Sequence, residues 1–101
     1  MGGITGEFSL SGGLISNNTS GIHGVGGGGV YNGGVFCMLG GAIANNTSVW
    51  GYGGGVSNMG SFCMSGGAIS DNLGGIGVYN FVGSAFTWVG GVVSGDTAPK
   101  K

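Results

Sequence analysis

Charge is nearly absent from this chain. Two Lys, three Asp or Glu and one His leave a formal net charge of −1 across 101 residues, whereas a soluble monomer usually charges about a quarter of its positions. Nothing here would steer nucleic acid or an anionic membrane. The shortage also removes most enzyme chemistry. Glu7, Asp71, Asp96 and His23 are the candidate acid–base groups. The three carboxylates fall in different slots of the pattern below, and a lone His in a variable segment is more often solvated than catalytic. No enzyme activity, metal site or cofactor is expected. No apolar run approaches the roughly 20 residues that span a bilayer, so membrane insertion is not expected. The first residues lack the basic start and apolar core of a signal peptide. Proline occurs once, and 29 glycines without a Gly-X-Y period are not collagen. An apolar share of 41% argues against simple disorder. So little charge implies that much of the surface is covered, most simply by another copy of the chain.

What is present is a repeat. The stretch GVFCMLGGAIANNTSVWGYGGGVSN (residues 34–58) returns as GSFCMSGGAISDNLGGIGVYN (60–80) and, more loosely, as EFSLSGGLISNNTSGIHGVGGGGVYN (7–32). A partial copy, SAFTWVGGVVSGD, covers residues 84–96. Phe8, Phe36, Phe62 and Phe86 are 28, 26 and 24 residues apart, and from each of them ten residues lead to Asn18, Asn46, Asn72 and Asp96. Length varies only outside that block. A rigid block with an elastic loop is the signature of a solenoid.

The local period identifies which solenoid. Phe36-Cys37-Met38 and Val56-Ser57-Asn58 alternate with period two, and the block is too glycine-rich for helix. Short strands broken by Gly-Gly or Gly-Gly-Gly corners describe an all-β parallel β-helix, with coils stacked about 4.8 Å apart. The expected molecule is one β-solenoid domain, residues 1–96, of about three and a half coils of 24–28 residues. Residues 97–101, with Pro99 before two lysines, read as a solvated tail. Inward positions are Phe8, Leu10 and Ile15; Phe36, Met38, Ile43 and Val56; Phe62, Met64, Ile69 and Val78; then Phe86, Trp88 and Val93. The variable segments, with Ile22–Val25 in the first coil and Trp50 and Tyr52 in the second, fall outside the stack.

GGAI at Gly40–Ile43 and again at Gly66–Ile69 resembles the repeats of polymorphic outer-membrane-protein autotransporters. The wider F-x-M-x-G-G-x-I-x-x-N…G-G-G-V-x-N pattern is similar to adhesin-like β-helix repeats of bacterial and archaeal surface proteins. The likeness covers residues 7–96 and implies a β-helix in an extracellular or cell-surface setting. The autotransporter family's second motif, F-x-x-N, does not occur in this sequence, and no membrane-anchoring barrel is found in it.

Stacking places like residues in columns. Asn18, Asn46 and Asn72 form one, and Asn32, Asn58 and Asn80 another; both read as asparagine ladders bonding corner backbone groups. Asn17 and Asn45 begin N-glycosylation sequons, as do Asn18 and Asn46, and the first pair are the better candidates. Cys37 and Cys63 share a slot that holds Ser9 and Thr87 in the other coils. Stacked Cα atoms are within disulfide range, but parallel Cβ directions disfavour the bond, so free thiols, an intrachain bridge and an intermolecular bridge all stay open. Two cysteines do not make a zinc site.

The expected function is structural: a subunit that stacks head to tail with copies of itself into an extracellular filament or surface fibre. Its assembly ends are placed near Ile4 and Leu10 at one side and Trp88 and Val89 at the other. The rival readings are an adhesin module that binds a glycan or host surface through its loops, using aromatics such as Trp50 and Tyr52, and a fragment of a longer surface protein.

Overall fold

The structure, a computed structural model, describes residues 3–4, 6–20, 27–49 and 53–94. After β1 (Gly3–Ile4), the first turn runs through β2 (Glu7–Leu10), β3 (Leu14–Ser16), β4 (Thr19–Ser20) and β5 (Val30–Asn32). The second turn repeats this as β6 (Val35–Met38), β7 (Ala42–Ala44), β8 (Thr47–Ser48) and β9 (Gly53–Asn58). The third holds β10 (Ser61–Met64), β11 (Ala68–Ser70) and β12 (Ile76–Asn80), and β13 (Ala85–Trp88) and β14 (Val92–Ser94) begin a fourth. No described residue is helical.

Every strand pairs in parallel with its counterpart one coil away. Three sheets have four strands each, ordered β1-β5-β9-β12, β2-β6-β10-β13 and β3-β7-β11-β14; β4 and β8 form a short fourth wall. Thr47 bridges to Leu73, which carries that wall into the third coil. This is a parallel β-solenoid of about three turns.

The period-two pattern puts alternate residues of each strand inside. In β6 and β10, Phe and Met are buried while the residues between them are not. Phe8, Phe36, Phe62 and Phe86 lie in strict register, and their rings stack with centroids 5.4, 4.9 and 5.0 Å apart. The buried core is Val30, Phe36, Met38, Ile43, Val56, Phe62, Met64, Ile69 and Val78, flanked by half-buried Phe8, Leu10, Ile15, Phe86 and Val93. All the expected inward residues occupy inward columns, Trp88 continuing Leu10, Met38 and Met64. Val30 heads the Val56–Val78 column and is a core residue the repeat reading did not name.

Each turn bends at two left-handed residues that bracket its second strand. The first is the second glycine of each Gly-Gly pair, Gly13, Gly41, Gly67 and Gly91, whose positive φ suits a residue without a Cβ; at Gly41, Gly67 and Gly91 a Cβ would also lie within 2.8 Å of a backbone oxygen of the neighbouring coil. The second, four residues on, is Asn17 (φ 57°), Asn45 (58°) or Asp71 (56°). Asn and Asp tolerate this region better than other side chains.

Thr19 and Ser20 pair with Thr47 and Ser48 as a strand. One expectation requires correction: the Gly53–Gly55 run is not a corner, since Gly53–Asn58 is one six-residue strand, buried throughout. The glycines are needed because the facing wall is close. A Cβ on Gly55 would lie 2.7 Å from Ile69 Cγ2 and 2.9 Å from Asn72 Nδ2; on Gly29, 2.8 Å from Ile43 Cγ2 and 2.9 Å from Asn46 Nδ2. Real Cβ atoms do not approach other heavy atoms so closely, so any side chain here would collide with the Ile column and the first asparagine ladder.

Candidate functional site

The asparagine columns are continuous ladders. In the first, Asn18 donates its backbone N–H and its Nδ2 to Asn46 Oδ1 at 3.0 and 3.1 Å. Asn46 does the same to Asn72 Oδ1 at 2.9 and 3.0 Å. Each amide also reaches back one coil, Asn46 Nδ2 to the Ile15 carbonyl and Asn72 Nδ2 to the Ile43 carbonyl, both at 3.0 Å. The second ladder runs forward: Asn32 Nδ2 donates to Asn58 Oδ1, and Asn58 Nδ2 to Asn80 Oδ1, both at 2.9 Å. The same amides hold the carbonyls of Ser61 and Ala85, the first residues of β10 and β13. Their oxygens cap the local turn, accepting from the N–H of Gly34 and of Gly60. Both ladders thus bond backbone groups of the strands beside them as well as one another.

The sequon asparagines separate from the ladders. Asn17 and Asn45 are exposed at the left-handed corner, while Asn46 is fully buried and the amide of Asn18 is bonded to it. Cys37 and Cys63 are joined in a disulfide, with Cα atoms 4.6 Å apart. The opposition of parallel Cβ directions does not prevent the bond, and the free-thiol and intermolecular alternatives fall away. The bridge lies in the outward column of Ser9 and Thr87 and ties the second coil to the third.

Tyr31, Ser57 and Tyr79 share one column as the repeat implies. Neither tyrosine is fully exposed, and Ser57 is buried, its hydroxyl accepting from the Gly53 N–H at 3.0 Å. Tyr79 meets Phe81 edge to face at 4.8 Å. Ile22–Val25 with His23, Trp50, Tyr52, Asp96 and residues 97–101 lie outside the described residues. Glu7 and Asp71 are exposed, Glu7 in β2 and Asp71 at the left-handed corner after β11. Among the described residues no three His, Cys, Asp or Glu gather as metal ligands, and no helix is long and apolar enough to cross a membrane.

Among the described strands the stack ends on open edges. In the sheet orders, β2 and β3 have neighbours on one side only, as do β12, β13 and β14. The first edge carries Phe8, Leu10 and Ile15, and the last carries Phe86, Trp88 and Val93; none is fully buried, and Trp88 is 40% exposed. Phe86 and Trp88 stack with centroids 6.1 Å apart. Val89, 76% exposed, sits outside the end of β13, and Ile4 lies in β1, which pairs with β5. Unpaired strand edges beside apolar side chains are templates for another strand.

The last edge has a lengthened corner, a signal present in the residue spacing. Asn32 to Phe36 and Asn58 to Phe62 are four residues, while Asn80 to Phe86 is six. The two extra residues form a turn, closed by Ser84 donating its N–H and Oγ to the Phe81 carbonyl at 3.0 and 2.7 Å. It leaves Val82 fully exposed and borders a cavity of about 260 Å³ lined by Asn80, Phe81, Val82, Gly83, Ser84 and Phe86. No protein-family model, curated protein or solved structure matches this chain.

Proposed function

We propose that this chain is a structural subunit that stacks head to tail into an extracellular β-solenoid filament or surface fibre. The observation that carries the reading is the pair of open parallel edges, β2–β3 at one end and β12–β14 at the other, built on the same columns. The main inward and ladder columns join like to like between coils: Phe on Phe, Ile on Ile, Asn on Asn. An edge that fits its own neighbour inside the molecule has the chemistry to fit a second molecule. Such a contact is heterologous and need not close, so it propagates. Low charge removes the repulsion that ordinarily blunts edges. The disulfide supports export, because such bonds persist in oxidising compartments. Negative-stain micrographs of micromolar protein are expected to show fibres about one subunit wide. A folded monomer in sedimentation at high concentration and neutral pH overturns the proposal.

A further inference from the structure

Resting on that filament reading, we propose that the joint between subunits is an in-register continuation of all three four-stranded sheets by a second copy of the chain. β12 pairs with the next copy's β1, β13 with its β2 and β14 with its β3. The columns assign every pair. Gly3 and Ile4 sit beside Tyr31 and Asn32, and these lead through Ser57 and Asn58 to Tyr79 and Asn80. The second copy therefore sets Gly3 on Tyr79 and Ile4 on Asn80. By the same counting Glu7 falls on Ala85, Phe8 on Phe86, Ser9 on Thr87 and Leu10 on Trp88. Leu14 falls on Val92, Ile15 on Val93 and Ser16 on Ser94.

Three observations favour this register. Both edges meet the faces in the same order around the coil, so the second copy's β1, β2 and β3 arrive over β12, β13 and β14 with no strand displaced. Inward residues land on inward residues, Phe8 extending the phenylalanine stack and Ile15 the aliphatic column, whereas a one-residue slip would turn both outward. The third is the lengthened corner. Ile4 stands in the column that elsewhere holds Asn32, Asn58 and Asn80, so this joint cannot extend the second ladder. The corner below it is the one that differs, opening a cavity whose lining includes Phe81, Val82 and Phe86. An apolar residue replaces the asparagine where a cavity lined in part by Phe81, Val82 and Phe86 replaces the tight turn. Charge does not oppose the fit: Glu7 is the one charged residue in β1–β3, and β12–β14 carry none.

The molecule supplies the logic of its own test. Outward residues one coil apart reach a disulfide, as Cys37 and Cys63 show with Cα atoms 4.6 Å apart. Glu7 and Ala85 terminate the neighbouring outward column, through Val35 and Ser61, and both are exposed. Glu7→Cys and Ala85→Cys proteins, refolded together and mildly oxidised, are expected to give a covalent dimer on a non-reducing gel. Neither alone should give one, and a chain carrying both substitutions should give a ladder of multimers. Glu7→Cys with Ser94→Cys, whose thiols fall on different sheets, should not link. Leu14→Cys with Val92→Cys is a second exposed in-register pair and serves if either first variant fails to fold. Wild-type sedimentation separates the two levels of the idea. Polymers whose in-register pairs do not link, or in which Glu7→Cys links to Ser94→Cys, overturn the register and leave the filament. A wild-type monomer overturns both.

Discussion

Asn46 gives both its backbone N–H and its side-chain amide to one atom, the Oδ1 of Asn72, at 2.9 and 3.0 Å. The same amide holds the Ile15 carbonyl of the preceding coil, so one buried side chain ties three coils together. Asn46→Ala would leave that carbonyl and the donors of Asn18 without a partner. Each buried polar group left unpaired costs about 1–3 kcal/mol, so the loss is expected to be on the order of 3 kcal/mol. Asn46→Asp should be worse near neutral pH, because a carboxylate cannot donate to the Ile15 carbonyl or to Asn72 Oδ1. Urea titration followed by circular dichroism measures both. A change within about 0.5 kcal/mol, the size of an ordinary surface substitution, would refute the ladder as a stabilising element.

The phenylalanine stack gives a comparison between middle and ends. Phe36 is fully buried, and Phe36→Ala is expected to cost about 3–5 kcal/mol. Phe86 is only partly covered in the isolated subunit, so Phe86→Ala should cost clearly less at dilution. Repeated at concentrations where the protein assembles, Phe86→Ala should approach the Phe36→Ala loss. Equal costs at all concentrations would contradict the end-to-end contact.

Glycine substitutions separate close approach from mere flexibility. Gly55→Ala pushes a Cβ against Ile69, Asn72 and the Gly77 carbonyl, whose backbone cannot yield cheaply. Its cost is expected to reach the 1–3 kcal/mol of an overpacked core. Gly12→Ala meets nothing within 4 Å and should change stability by no more than about 0.5 kcal/mol. Thermal unfolding of the two proteins decides, and similar melting temperatures would count against the narrow cross-section.

The Cys37–Cys63 bond closes a loop across a sequence separation of 26. On the chain-entropy account its reduction should lower stability by about 3–4 kcal/mol. The coils remain joined by backbone pairing and the phenylalanine stack, so the reduced protein should keep its strand spectrum in buffer while unfolding at lower urea. Loss of that spectrum on reduction alone would show that the stack does not hold without the bridge.

The left-handed corner is testable at Asn45. Asn45→Gly retains access to φ 58° and should be nearly neutral. Asn45→Val places a branched Cβ there and should cost on the order of 1–2 kcal/mol or more. Equal denaturation midpoints for the two variants would remove the corner as a constraint.

The wall of the solenoid was legible because it is a local pattern repeated without gaps. Period-two alternation around Phe36 and Phe62, and the constant ten-residue spacing from Phe to Asn or Asp, specify short parallel strands in register. Register then determines both asparagine ladders, since side chains one coil apart in identical slots must meet. In the sequence the Gly53–Gly55 run reads as a corner, because glycine usually breaks strands. What makes it strand is the nearness of Ile69 and Asn72 on the opposite wall, a contact distant in the chain.

By itself, then, the sequence determined the coil, its period, the inward columns and which residues stack, because each follows from spacing along a chain that repeats. The tertiary structure alone decided three things. The outward Cys37 and Cys63 bond, because coil rise and side-chain direction bring their sulfurs together. The glycine run is strand, because the facing wall leaves no volume for a Cβ. The last corner opens a cavity beside Phe86, because its extra residues turn on the Ser84–Phe81 bonds instead of the Asn–Gly bond that closes the earlier corners. Each depends on where separate coils lie in space, and a repeat pattern carries no information about the distance between its own walls.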